Sequence, residues 1–156
     1  MQSCAIFLIG LWGMALTSSA PLEGSYVATS LNGQKVPANL RLPAQGGDFR
    51  LFQLEQGVLR LSSGGRFTLS FRYYHQLVHR GQRPIKTPVL SDSESGTYRL
   101  EGGKIILTPA KKPGEKPRPT IPATLSGQEI NAAYLLQSGG SRERITLTLK
   151  RDSTFW

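Results

Sequence analysis

The run GRFTLSFRYYHQLVHRGQRPIKTPVLSDSESGTYRLEGGKIILTP, from Gly65 to Pro109, decides the fold class. Its odd positions are Phe67, Leu69, Phe71, Tyr73, His75, Leu77 and His79. Its even positions are Thr68, Ser70, Arg72, Tyr74, Gln76, Val78 and Arg80. Successive side chains of a strand point to opposite faces, so the odd set forms an apolar face and the even set a mostly wet one. That is the pattern of a half-buried antiparallel strand; the spacing near 3.6 that a helix requires is missing. About thirteen residues make a strand well above the usual length of about five or six. Such a strand is bent by a bulge or belongs to a curved barrel. The alternation is expected to slip by one residue at the bulky pair Tyr73 and Tyr74.

Outward from this run the same grammar repeats. Leu22 to Leu31 reads as a first strand ending at the Asn32-Gly33 turn. Leu40 to Asp48 reads as loop, because it holds Pro43, Gly46 and Gly47. Phe49 to Glu55 and Val58 to Leu61 read as two strands joined at Gln56-Gly57. After the turn Arg80 to Arg83, Ile85 to Leu90 returns, with Pro88 marking an edge or a bulge. Asp92-Ser93-Glu94 reads as a turn. Ser95 to Leu100 and Lys104 to Thr108 form a hairpin about Gly102-Gly103. Ala110 to Pro119 (AKKPGEKPRP) reads as a solvated loop. Ile121 to Leu125, Glu129 to Leu136 and Arg144 to Lys150 complete the set. Asn131 to Gln137 has the composition of a helical turn, but the spacing of its neighbours favours strand. The expected fold is all-β: an antiparallel up-and-down meander closing into a barrel of eight to ten strands.

The chain has 156 residues, which fits one domain. Ala5 to Leu16 is apolar and uncharged and is followed by Thr17-Ser18-Ser19-Ala20. This is the apolar core and small-residue tail of a secretory signal, although Met1 to Cys4 carries no basic residue. Twelve residues are too few to cross a bilayer, which takes about twenty. Residues 1–20 are therefore expected to be a signal peptide, 21–156 one barrel domain, and the protein exported, periplasmic or extracellular. No transmembrane helix is expected after the signal. Cys4 is the lone cysteine and would leave with the signal, so no disulfide, thiolate nucleophile or cysteine zinc site is expected.

The net charge is +9. Between Arg60 and Lys86 there are six basic residues and no acidic one. Arg72, Arg80, Arg83, Lys86, Lys111 and Lys112 are the candidates for contact with an anionic envelope component or an acidic protein. A merely solvated basic surface is the bland alternative. Export argues against nucleic acid as a partner.

Chemistry-bearing groups are sparse. His75 and His79 share a strand face but lie about 13 Å apart, too far for one metal ion. Asp92 and Glu94 sit among serines, the setting of local backbone hydrogen bonds. No nucleophile elbow or phosphate loop is present. No cofactor, metal site or enzymatic activity is expected.

Three features resemble a known family. They are Gly24-Ser25-Tyr26 before Asn32-Gly33-Gln34, the paired modules Gly64 to Leu69 and Ser95 to Leu100, and the closing strand Ile145 to Arg151. Together they are similar to small exported bacterial lipocalin-like domains of the calycin type. Lipocalins carry a Gly-x-Trp on the first strand and a late arginine packed over the tryptophan. Here Tyr26 stands at the tryptophan position, and Lys150 or Arg151 at the arginine. The resemblance implies an up-and-down barrel with room for a small apolar or amphiphilic ligand. Tyr26, Phe67, Leu69, Phe71, Tyr73, Tyr98 and Leu100 are then the candidate pocket walls; ordinary core is the competing reading. The expected function is a non-catalytic binding module. The alternatives are an interaction module using the basic hairpin against an anionic partner, and a calycin-like enzyme.

Overall fold

The computed structural model describes residues 21–44, 48–138 and 141–154. The expected signal peptide, and Trp156, read from sequence as a loosely packed end, lie outside the described residues. The described chain is all-β, without a helix. Its strands are β1 (Gly24–Leu31), β2 (Gln34–Lys35), β3 (Ala38–Pro43), β4 (Phe49–Ser62), β5 (Arg66–Val78), β6 (Ile85–Lys86), β7 (Leu90–Glu101), β8 (Lys104–Pro109), β9 (Ile121–Ser126), β10 (Glu129–Ser138) and β11 (Ser141–Arg151).

Neighbour order runs β1, β11, β10, β9, β8, β7, β5, β4, and β4 pairs back with β1. Every pairing is antiparallel, so these eight strands form a closed up-and-down barrel. Closure removes the exposed edges that an open sheet of this size would present. The short β2, β3 and β6 are additions beside β1, β4 and β5.

β5 follows the reading of its sequence closely. Phe67, Leu69 and Phe71 are buried, and Tyr73 packs against the core from the same face. The expected slip is present but lies on the facing strand. Leu54 pairs with Tyr73 and Gln56 with Arg72, which leaves Glu55 as a bulge in β4. Before the bulge the inward residues of β4 are Phe52 and Leu54; after it they are Leu59 and Leu61. A second bulge at Thr29 of β1 shifts the inward set from Tyr26 and Ala28 to Leu31. Each bulge bends its strand around the barrel.

Three expected irregular stretches are strands. Gln56-Gly57 is no turn: β4 runs through it, and Gly57 is present because a Cβ there would lie 3.0 Å from the Ala28 Cβ. Leu40 to Pro43 belongs to β3, on the edge of the sheet, where a proline at the strand end costs no ladder bond. Asp92 to Glu94 is no turn either: Phe71 pairs with Asp92 and Leu69 with Glu94, because a strand as long as β5 holds a partner of matching length. Asn131 to Gln137 is strand, as expected.

The barrel is filled at one end. Tyr26, Leu59, Phe67, Leu69, Ile105 and Ile130 are at most 2% exposed there. Burying each such side chain contributes about 1.5–3 kcal/mol. The N-terminal segment lies across this end. Tyr26 donates its hydroxyl to the Leu22 carbonyl at 2.8 Å, and Arg151, the cross-strand partner of Tyr26, donates to the carbonyls of Pro21 at 2.8 Å and Glu23 at 2.7 Å.

Candidate functional site

The other end of the barrel is open. Between β4, β5, β7, β10, β11 and the segment 118–122 lies a cavity of about 450 Å³. Its apolar wall is built from Phe52, Leu54, Phe71, Tyr73, Ile121, Leu136 and Ile145. The rings interlock: Phe52 lies 4.9 Å from Tyr73, Phe71 lies 5.3 Å from Tyr134, and His75 edges onto Tyr73 at 5.4 Å. These are ordinary separations for tilted and edge-on aromatic pairs, which fix one another's orientation.

A polar group projects into this apolar space. Glu94, on β7, is 7% exposed and is the one buried charged side chain among the described residues. Arg118 Nη1 donates to Glu94 Oε1 at 2.9 Å. The Tyr134 phenol, on β10, lies beside Glu94 and feels its charge. Burial above all, with the charge of Glu94 behind it, pushes the Tyr134 phenol far above its usual range. Tyr134 is therefore a fixed donor at every ordinary pH. The hydrogen bond to Glu94 likewise raises Arg118, which stays charged. Asp92 and Arg144 line the same cavity. It thus holds two carboxylates and two guanidiniums.

Arg118 reaches Glu94 from the proline-rich segment between β8 and β9. Residues 110–117 of that segment are exposed, as the sequence suggested, but Arg118 turns inward. Pro117 and Pro119 flank it and restrict the backbone there. One end of the segment is anchored where the Ala110 amide donates to the Ser95 carbonyl at 2.8 Å.

The structure separates the residues singled out from sequence. Phe71 and Tyr73 line the cavity. Tyr26, Phe67 and Leu69 do not; they belong to the filled end. Tyr98 is half-buried outside the cavity, its hydroxyl 3.3 Å from the Ser62 carbonyl. Leu100, beside the β7–β8 hairpin, is 58% exposed and lines nothing. Alternation reports which face a side chain is on, not its depth along the barrel. Arg80, Arg83 and Lys86 are exposed about the β5–β6 turn, Lys111 and Lys112 are exposed on the separate segment after β8, and Arg72 stands on the outer wall of β5.

Phe52 and Tyr134 are not among the residues expected at a site, Glu94 is expected to make local hydrogen bonds in a turn, and Arg118 falls in the expected solvated loop. A signal for Glu94 was present. Carrying the inward set Gly96 and Tyr98 two steps back along the strand reaches Glu94 and then Asp92. The serine-rich composition hid it. Nothing local announced Arg118 or Tyr134.

The two histidines have separate surroundings. His79 Nδ1 lies 2.6 Å from Asp48 Oδ2, and this contact, helped by the Arg80 amide, holds Asp48 below the usual carboxylate range. His75 sits among Phe52 and Tyr73, and burial, with Arg50 adding to it, holds its pKa below 6.5. The unfolded chain then takes up this proton at a higher pH than the folded one. The neutral ring contributes stability that is complete above pH 6.5 and is lost as pH falls toward the folded-state value. The urea midpoint should fall as pH drops below 6.5, and less steeply in His75→Phe, which keeps the ring contacts. Equal slopes in the two proteins would show that another group is responsible.

No protein-family model, curated protein or solved structure matches this chain. Among the described residues no helix is long and apolar enough to cross a membrane.

Proposed function

We propose that this is an exported, non-catalytic binding barrel of the lipocalin-like, calycin type, and that it holds one small amphiphile in the open end. The observation that carries the reading is the cavity of about 450 Å³ with an aromatic wall and one buried polar cluster. Sites for small molecules have about this size, mostly apolar walls and a few fixed polar groups. The ligand's apolar part lies against Phe52, Phe71 and Tyr73, and its head meets Glu94, Arg118 and Tyr134. Because the cavity's four charges cancel, the head is neutral-polar or zwitterionic. Glu94 is already engaged by Arg118, which suits a binding contact better than proton transfer. Tyr26 and Arg151 pair across β1 and β11 at the filled end, the arrangement the resemblance to lipocalins implies. The apolar run Ala5 to Leu16 supports export.

The test is titration with 1-N-phenylnaphthylamine, an uncharged probe whose fluorescence rises in apolar sites. Saturable binding of one probe per chain is expected. Leu136→Trp, which fills the cavity from a half-buried position, should weaken it by about tenfold or more, equivalent to at least about 1.4 kcal/mol. Absence of saturation, or binding indifferent to Leu136→Trp, would overturn the reading.

A further inference from the structure

On one side the barrel wall continues past the mouth. β7 stops pairing with β5 at Leu90 and Tyr73, but β5 runs on to Val78. There it is held by β4 on one side and β6 on the other, and β4 in turn carries β3. The result is a four-stranded flap standing over the cavity.

The flap is pinned in place. The Thr87 amide donates to the His75 carbonyl at 2.8 Å, the His75 amide donates to Thr87 Oγ1 at 2.9 Å, and His79 pairs with Asp48. Yet the flap's outer strand and the segment that leads from it down to the barrel mouth expose apolar side chains to water. Ile85 is 60% exposed, Val89 51% and Leu90 38%, three of the five large exposed hydrophobic residues of the described chain. Pairing of Ile85 with Leu77 and of Leu90 with Tyr73 puts Ile85 and Leu90 on the side continuous with the cavity wall. Arg80, Arg83 and Lys86 are exposed among them, and no acidic residue lies between Glu55 and Asp92.

Clustered exposed apolar side chains on a rigid element mark a contact surface. Interleaved with cations, and with the Asp48 carboxylate beside them already engaged by His79 and the Arg80 amide, they match the interface of an anionic bilayer. There the apolar groups enter the headgroup boundary and each cation gains from the surface potential. An acidic polymer would account for the cations but leave Ile85 and Val89 in water. We propose that the flap and the segment 85–90 along its edge dock on an anionic lipid bilayer and bring the mouth of the barrel to the membrane surface. This docking is independent of what the cavity holds.

The test is co-sedimentation of the full chain with phosphatidylcholine vesicles, with and without about 30% phosphatidylglycerol. Every variant keeps the N-terminal apolar run, so that run contributes equally throughout. The full chain should bind the anionic vesicles about tenfold or more tightly than the neutral ones, and raising the salt to about 0.5 M should erase most of the difference. The triple variant Arg80→Ser, Arg83→Ser, Lys86→Ser should lose the anionic preference. The double variant Ile85→Ser, Val89→Ser should bind the anionic vesicles about fivefold or more weakly. All five positions are exposed. Because Lys86 Nζ lies 3.5 Å from the centre of the Tyr74 ring, Arg80→Ser with Arg83→Ser is carried beside the triple variant and should show the same direction of change. Leu136→Trp should sediment like the unaltered chain, which separates this docking from occupancy of the cavity. Variants indistinguishable from the unaltered chain would overturn the proposal. So would full binding by the Ile85→Ser, Val89→Ser variant together with equal retention on polyglutamate, which would make the partner an acidic polymer.

Discussion

Gly96→Ala is expected to destabilise the protein by about 3–5 kcal/mol, well beyond the ordinary range for a single substitution. Gly96 lies in the middle of β7, paired with Phe67 of β5 on one side and Pro109 of β8 on the other. A Cβ built there would lie 2.0 Å from the Thr108 carbonyl oxygen and 2.9 Å from both Phe67 Cε1 and the Pro109 Cα. Two of those three atoms are backbone within the sheet and cannot swing aside. Phe67 is 2% exposed and closely packed, so its ring has no free space to move into. Relief would require parting β7 from β8, which opens the barrel. Thermal unfolding followed by circular dichroism should show the midpoint lowered by roughly 10–15 °C for a chain of this size. Ser95→Ala, at the exposed neighbouring position, should stay within about 0.5 kcal/mol of the unaltered protein. A loss under about 1 kcal/mol in Gly96→Ala would mean that β7 and β8 yield far more easily than this packing allows.

The second large effect is expected at Glu94. Removing it in Glu94→Ala takes from the Arg118 guanidinium its buried partner and leaves it the exposed Glu115 at 3.5 Å. Breaking a fully buried pair costs about 3–5 kcal/mol. Arg118 is 30% exposed and can turn outward, so the expected loss is smaller, about 2–3 kcal/mol. Replacing both partners, in Glu94→Leu with Arg118→Leu, should recover most of that stability, because apolar residues can substitute for a desolvated ion pair. The same double variant should bind 1-N-phenylnaphthylamine at least as well as the unaltered protein, while discriminating less between ligands with and without a polar head. Urea unfolding of both single variants and the double variant yields the coupling between them. A coupling near zero would mean that the ion pair neither holds the segment 110–120 nor shapes the site.

What was legible in the sequence was carried by local alternation. Phe67, Leu69, Phe71 and Tyr73 declare β5, and Ser95 to Leu100 with Lys104 to Thr108 declare a hairpin, because the period of two is written in consecutive residues. The irregular stretches were harder for the same reason. At Glu55 the chain inserts one residue, so the inward set passes from Phe52 and Leu54 to Leu59 and Leu61. Read alone, that break in parity looks like the end of one strand and the start of another. Asp92 to Glu94 has the composition of a turn and becomes strand only because β5 lies beside it.

The all-β class, the antiparallel meander, the basic hairpin and the lack of any acidic residue from Gln56 to Ser91 were determined by the sequence itself. Each depends on neighbouring residues or on their sum. Tertiary structure decided where the barrel is solid and where it is open. Two inward side chains of one strand, Phe67 and Tyr73, look alike in the pattern, yet one fills the closed end and the other lines the cavity. It also decided the site's polar centre. Glu94, Arg118 and Tyr134 stand on three separate segments, and each taken alone looks like a solvated residue or ordinary core. Closure of the barrel brings them together, and the low dielectric it creates gives their pairing its strength.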